Sequence, residues 1–287
     1  MFNQVNLGDR PVAPTGGIQT KPLIMGILNV TPDSFSDGGK FSGLNAVLQQ
    51  VELMLSEGVD IVDIGGESTR PGAEPVAAAE QIQRVVPVIE AIRQQLASPI
   101  LISIDTTSSE VAKAALDAGA DMINDISGGR ADAAILTLAA QTGVPIILMH
   151  SQGVSKTMQD NPHYENVVQE VLEALNESIN AALKAGIKKQ AIVIDPGIGF
   201  GKRKQDNIGL LAHLDSLVAT GFPVLLGTSR KRFMGTICAV TEPSELVTAT
   251  AVTTALGVMA GVQLFRVHDV KENRQAADVA WAIKQSR

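Results

Sequence analysis

Residues 100–124 read ILISIDTTSSEVAKAALDAGADMIN, and the way this stretch divides decides the fold. Ile100–Ile104 is a short aliphatic run without alternation, as expected of a strand buried on both faces. Glu110–Ala118 then spaces its apolar residues as one face of a helix, and Ala118-Gly119 supplies a helix C-cap. Met122–Ile123 begins a second strand. The first strand closes on Asp105 and the second on Asn124. A doubly buried strand followed at once by an amphipathic helix is the unit of a parallel sheet covered by helices.

The unit recurs in both directions. Strands are expected at Leu23–Leu28, Ile61–Ile64, Ile100–Ile104, Met122–Ile123, Pro145–Met149, Ile192–Ile194, Val224–Leu226 and Leu264–Val267. Helical spacing follows, for example over Leu44–Ser56, Val76–Leu96, Tyr164–Ala185 and Ser244–Met259. Glu57-Gly58, Thr142-Gly143 and Thr220-Gly221 supply further caps before strands. Eight evenly spaced units, with no long linker or shift in composition, predict a single (β/α)8 TIM barrel rather than an open doubly wound sheet. Residues 23–287 form that domain, residues 1–22 an N-terminal extension packed on it, and the loops after strands 1 and 2 are long and expected to be mobile.

Composition fits. Of the 287 residues, 45% are hydrophobic and only 3% aromatic, so the core is built from aliphatic side chains, as a layered barrel interior is. A net charge of -7 favours solubility and argues against a nucleic-acid partner. The single Cys238 excludes an intrachain disulfide and fits the cytoplasm. Met1–Lys21 lacks the apolar core of a signal peptide, and Leu246–Val262 is short for a membrane span, so no membrane partner is expected. The helix around 244–259 is apolar all the way round, which suggests cover on both sides and a homodimer through this helix.

Polar residues stand at or beside the strand ends: Asn29, Asp63, Asp105, Asn124, His150, Asp195, the group Ser229-Arg230-Lys231, then Arg266 and His268. In a barrel these ends converge on one rim. The carboxylates and amide of Asp63, Asp105, Asn124 and Asp195 suit a flat heterocycle bearing N–H groups. Lys231, Arg266 and His268 sit at the last two strands, where barrels commonly hold phosphate. Asn29 reaches the same anion, through a divalent ion if one is bound. The glycine-rich loop 195–202 is no nucleotide loop, because Pro196 replaces the first glycine of that pattern and Arg203 its Ser or Thr. Its glycines are expected to let backbone approach a planar ligand under Phe200.

Gly26–Gly39 (GILNVTPDSFSDGG) and Asp63–Gly72 (DIGGESTRPG) resemble two long motifs of the dihydropteroate synthase family. So do Ser103–Thr106, Ile123–Asp125, Asp195–Gly201, Ser229–Lys231 and Arg266–Asp269, in family order from Leu23 onward. The resemblance implies an enzyme of folate biosynthesis, a sulfonamide target that joins 6-hydroxymethyl-7,8-dihydropterin pyrophosphate to p-aminobenzoate. Dihydropteroate and pyrophosphate are its products. It implies pterin binding by Asp105, Asn124, Asp195 and Lys231, with Arg266 stacked on one pterin face and Ile126 and Met149 on the other. Asn29, Thr69, Arg266 and His268 would hold pyrophosphate, with Mg²⁺ at Asn29. Phe35, Arg70 and Phe200 would meet p-aminobenzoate, under mobile loops at Thr31–Gly39 and Gly65–Gly72. Asp105, Lys231, Arg266 and Asp37 would carry the catalysis.

The chemistry agrees with these roles. Pyrophosphate gathers charge as it departs, so cations there favour the transition state, while the electron-rich pterin and nearby carboxylates share the positive charge left on the methylene carbon. A dissociative substitution with pterin binding first is expected. One position departs from the family pattern: Arg232 stands where many members carry Ser, and either meets the p-aminobenzoate carboxylate or points to solvent.

Other residues read as structural. His163, His213, Lys188-Lys189 and Lys202-Arg203-Lys204 are expected to be solvated or to serve packing, and Cys238 to pack inertly. His150 either touches the ligand or supports residues that do. The rival readings are a folate-dependent methyltransferase, which has no use for a pyrophosphate clamp, and a catalytically silent pterin-binding paralogue.

Overall fold

The computed structural model describes residues 5–7, 10–12, 21–30, 40–67, 76–96, 99–153 and 162–287, with the backbone alone for 5–12 and 40–42. Eight parallel strands alternate with helices. They are β1 (Leu23–Asn29), β2 (Ile61–Gly65), β3 (Leu101–Asp105), β4 (Met122–Asp125), β5 (Ile146–Met149), β6 (Ile192–Asp195), β7 (Leu225–Leu226) and β8 (Leu264–Val267). Their order is β6-β5-β4-β3-β2-β1-β8-β7, and a parallel bridge between Ile194 and Val224 joins β6 to the start of β7. The ring is the expected (β/α)8 barrel. Val5–Leu7 and Arg10–Val12 form a separate antiparallel pair, where the sequence suggested no element.

The helices are α1 (Lys40–Ser56), α2 (Ala78–Gln95), α3 (Ser109–Asp117), α4 (Ala134–Thr142), α5 (Val167–Lys184), α6 (Lys204–Ala212), α7 (Leu214–Val218), α8 (Arg232–Cys238), α9 (Val247–Ala260) and α10 (Val270–Gln285). Ser108 caps α3 by accepting from Val111 N–H, and Gly143 ends α4 in the left-handed region at φ 73°. Pro243–Leu246 forms a 3-10 turn, so α9 starts later than its apolar spacing suggested.

Strand alternation separates two apolar regions. Ile24, Ile64, Ile102, Ile123, Ile146 and Phe265 face the helices in the main core. Met25, Ile61, Met122, Ile147, Val193, Leu225 and Leu264 fill the barrel interior as a separate plug. The plug closes the barrel from below, so polar side chains higher on the same strands sit above an apolar floor.

Within one chain α9 is covered on one side. Its Thr250, Thr254 and Val258 are buried, with the Thr254 hydroxyl bonded to Asn273 Oδ1 of α10 at 2.6 Å. Its other face leaves Val252 53% and Leu256 61% exposed, beside Val279 and Ile283 of α10 at 61% and 51%. Together the two helices border an apolar groove of about 630 Å³. Cys238 also departs from expectation: it ends α8 exposed rather than packed. His163, His213, Lys188 and Lys189 are exposed as expected.

Candidate active site

Above the plug, the inward positions turn polar. Register sets Asp63 opposite Ser103, Asp105 opposite Asn124, and Met149 opposite Asp195, while Asn29 and Asp105 flank Gly65 on either side. Strand pairing runs through Asn29, Asp105 and Asp195 rather than stopping before them, because the barrel supplies partners for inward polar groups. Arg266 on β8 binds across β1: its Nε donates to Asp63 Oδ2 at 2.6 Å and its Nη2 to Asp105 Oδ2 at 2.6 Å. Asn124 Nδ2 donates to Asp63 Oδ2 at 3.1 Å. Asp63 therefore orients Arg266 and Asn124. Burial opposes the Arg266 charge, yet Asp63 and Asp105 outweigh it and hold the guanidinium above its ordinary range.

Three buried atoms in this layer have no hydrogen-bond partner: Asp63 Oδ1, Asp105 Oδ1 and Ser103 Oγ. Such atoms are costly unless a ligand or water completes them. Asp105 is pushed up to about 7, first by burial, against the lowering effect of Arg266 and with Asp63, Asp125 and Glu67 adding to the rise. Asp195 rises to about 6, by burial against the Gly197 N–H and the charges of Lys231, Lys202 and Arg266. Lys231 falls to about 8, by burial and by Arg266, with Asp195 and Asp105 opposing. Carboxylates so placed gain from a ligand that brings N–H donors.

The loop after β6 forms the side wall. Gly197 N–H donates to Asp195 Oδ1 at 2.7 Å. Phe200 packs with Met149 and Ile126, and the Lys231 ammonium lies 4.1 Å from the Phe200 ring centre, a cation–π distance. This brings Ile126, Met149, Phe200, Asp195 and Lys231 together, as the sequence suggested. Two of the loop's glycines are also required by the protein's own packing. A Cβ on Gly197 would lie 1.9 Å from the His150 carbonyl oxygen, and one on Gly201 would lie 2.3 Å from that of Gln152. These two admit the neighbouring loop's backbone, while a Cβ on Gly199 would meet the Lys231 side chain at 3.0 Å.

Lys202 corrects the sequence reading outright. It is 3% exposed, and its ammonium donates to His150 Nδ1 at 2.8 Å, to Gly197 O at 2.9 Å and to Phe200 O at 3.1 Å. Burial lowers it to about 7. Burial, then Lys202 and Arg130, drive His150 down to about 2, so the imidazole is neutral and accepts at Nδ1. His150 thus supports the loop. Arg203 is not simply solvated either: it pairs with Asp206 and donates to Tyr164 O.

At the last two strands Ser229 Oγ accepts from His268 N–H at 3.0 Å and lies 2.9 Å from its Nδ1. Arg230 leaves the rim. At φ 56° it turns to pair with Asp269, while Lys231 turns inward. Arg232 begins α8 exposed. Asn29 is exposed at the end of β1, with Oδ1 near Gly65. Among the described residues no three His, Cys, Asp or Glu side chains are grouped to hold a metal ion. Asn29 offers one amide oxygen, and Mg²⁺ is commonly held through one or two protein oxygens with waters and phosphate oxygens completing its shell, so the residue fits that ion.

Phe35, Asp37, Thr69 and Arg70 lie outside the described residues, as does most of both loops that carry them. The base of the second loop is described. Glu67 accepts from Val76 N–H at 3.1 Å and from Gln81 Nε2 at 3.1 Å, and Arg84 donates to Gly66 O at 2.7 Å. No described helix is long and apolar enough to cross a membrane.

Residues 25–268 match the family described as pterin binding enzyme. The chain is 46% identical over 263 residues to a dihydropteroate synthase of a Synechocystis strain, covering 92% of this chain and 90% of the relative. A Xanthomonas albilineans dihydropteroate synthase solved with 4-aminobenzoic acid superposes with a TM-score of 0.87 at 42% identity, covering 99% of both chains. A Yersinia pestis dihydropteroate synthase solved with a sulfonamide drug gives 0.86 at 41% identity, covering 95% of this chain and 98% of that one.

Proposed function

The chain belongs to the pterin-binding enzymes and, within them, to the dihydropteroate synthases, and from that premise we propose how its rim residues divide the chemistry. The activity is that of a transferase: the pterinylmethyl group of 6-hydroxymethyl-7,8-dihydropterin pyrophosphate passes to the amine of p-aminobenzoate, and pyrophosphate leaves. The observation that carries the assignment of roles is the buried layer of Asp63, Asp105, Asn124 and Asp195 above an apolar plug, bridged by partly buried Arg266, with one carboxylate oxygen of Asp63 and one of Asp105 left unpartnered.

Asp105 and Asp195 accept the pterin's N–H groups, Asn124 supplies a matching amide, and Lys231 meets an acceptor on the ring. Arg266, held by Asp63 and Asp105, presents the flat side of its guanidinium, and Met149 and Ile126 close the opposite face. Ionised Asp105 offsets the positive charge that develops on the methylene carbon once the C–O bond breaks. Arg266 and His268 stabilise the departing pyrophosphate, as does Thr69. Mg²⁺ held through Asn29 would neutralise phosphate charge when bound. The aromatic amine is neutral near pH 7, so attack needs no strong base. Phe200 lines the amine's approach, and excluding water there keeps the cation from being hydrolysed. Phe35, Asp37 and Arg70 take their p-aminobenzoate and catalytic roles from the family resemblance alone. Exposed Arg232 is placed to draw in the p-aminobenzoate carboxylate rather than to clamp it.

The exposed faces of α9 and α10 support a homodimer, since a second copy would cover Val252, Leu256, Val279 and Ile283 together. A lone cysteine fits the cytoplasm. The functional test mixes the protein with the pterin pyrophosphate, Mg²⁺ and p-aminobenzoate. Pyrophosphate release should require the amine, and Lys231→Ala and Arg266→Ala should each lower turnover at least about tenfold. Unchanged turnover in both variants would refute the roles.

A further inference from the structure

The buried Lys202 has no part in the chemistry above, yet it ties two rim loops together. It stands just before α6, its three closest partners come from the end of β5 and from both ends of the Gly197–Phe200 turn, and each is an acceptor. The turn is wound around the ammonium: Phe200 N–H donates to Gly197 O at 3.1 Å, and Gly199 N–H to Asn207 Oδ1 at 2.7 Å. Beyond it, Tyr164 Oη donates to Gly201 O at 2.9 Å. Phe200 is therefore fixed from behind through its own carbonyl, while its ring faces Met149, Ile126 and the Lys231 ammonium.

We infer that Lys202 is a positioning residue for the amine substrate: with His150 Nδ1 as its side-chain acceptor, it sets where the Phe200 ring stands. The inference rests on the proposed placement of Phe200 beside p-aminobenzoate. Stability alone is a poor reason for such a group. An ammonium taken wholly out of water carries a desolvation penalty that an apolar side chain of similar length avoids. What the ammonium adds is direction, because three N–H bonds to three acceptors allow one arrangement of the turn. Asp195 takes one bond from the turn, from Gly197 N–H, but its backbone is held by strand pairing in β6, so loosening the clamp should reach Phe200 before the pterin carboxylates.

The experiment compares steady-state kinetics and melting temperature for the wild type, Lys202→Met, His150→Asn and His150→Ala. Asparagine keeps an acceptor oxygen near the position of Nδ1, whereas alanine removes it. Lys202→Met should raise KM for p-aminobenzoate at least about tenfold, the worth of one charge-assisted bond. Its kcat and its pterin dissociation constant should stay within about threefold. His150→Ala should follow it in KM, and His150→Asn should stay near the wild type in KM although it too loses ring volume and melts lower. Should Lys202→Met fail to fold, the two His150 variants decide by the same split. Lowered melting temperatures with unchanged KM in both alanine and asparagine variants would overturn the clamp while leaving the activity intact. A wild type that does not couple the amine would overturn the functional reading itself.

Discussion

Arg266→Met tests the electrostatics of the site most sharply, because one guanidinium serves two buried carboxylates. Its bonds to Asp63 and Asp105 are both 2.6 Å, with Asp63 0% and Asp105 5% exposed. Methionine fills much of the volume but leaves both carboxylates without their counter-charge. Breaking a buried ion pair by removing one partner costs about 3–5 kcal/mol. The alternative open to the variant is to protonate Asp105, which already stands at about 7 against an ordinary 3.8. A raised folded pKa means that protonation favours the folded chain. This contribution is complete below about pH 4 and is lost as pH rises through about 7. Without Arg266 the folded value rises further, so the loss continues above 7 in the variant but not in the wild type. The difference in stability should therefore be largest near pH 8 and shrink on acidification. Urea denaturation followed by the fluorescence of Trp281, the single tryptophan, measures it at pH 5 and pH 8. A cost below about 1 kcal/mol at pH 8, or one that grows towards pH 5, would refute the reasoning.

Other consequences are as direct. Pterin binding near pH 6.5 should release protons, because N–H donors favour ionised Asp105 and Asp195, which stand at about 7 and about 6. Calorimetry in two buffers of different ionisation enthalpy would then give different apparent binding heats, and identical heats would contradict it. Gly197→Ala should cost at least about 2 kcal/mol and impair turnover, since its φ of 66° and the His150 carbonyl at 1.9 Å both exclude a Cβ; a variant of wild-type stability would show that the turn relaxes freely. Leu256→Lys should convert a dimer to monomer in sedimentation at micromolar concentration, whereas a monomeric wild type would remove the dimer.

The barrel was legible because its strands are aliphatic runs with helix caps between them, a pattern set by local burial. The convergence of Asp105, Asn124, Asp195, Lys231 and Arg266 was legible for a related reason: strand ends in a closed ring share one rim. What local sequence does not carry is the direction of a side chain fixed by a distant partner. Lys202 sits among charged neighbours and looked solvated, yet His150 and two carbonyls enclose it. Arg230 and Lys231 are adjacent, but a left-handed residue sends one to Asp269 and the other inward. Asp63 looked like one more ligand for the heterocycle; its second role as the anchor of Arg266 was not visible. The apolar girdle of α9 was visible, but not that the exposed Val279 and Ile283 of α10 extend its bare face.

A crystal structure of the protein with bound dihydropterin pyrophosphate bears most directly on the claim that the strand ends build one pterin pocket. The pterin ring should lie between Met149 and Arg266, its N–H edge on Asp105 and Asp195, with the unpartnered Asp105 Oδ1 satisfied and the phosphates directed to Asn29 and His268. A pterin seated elsewhere, or turned so that its N–H edge misses both carboxylates, would contradict the account.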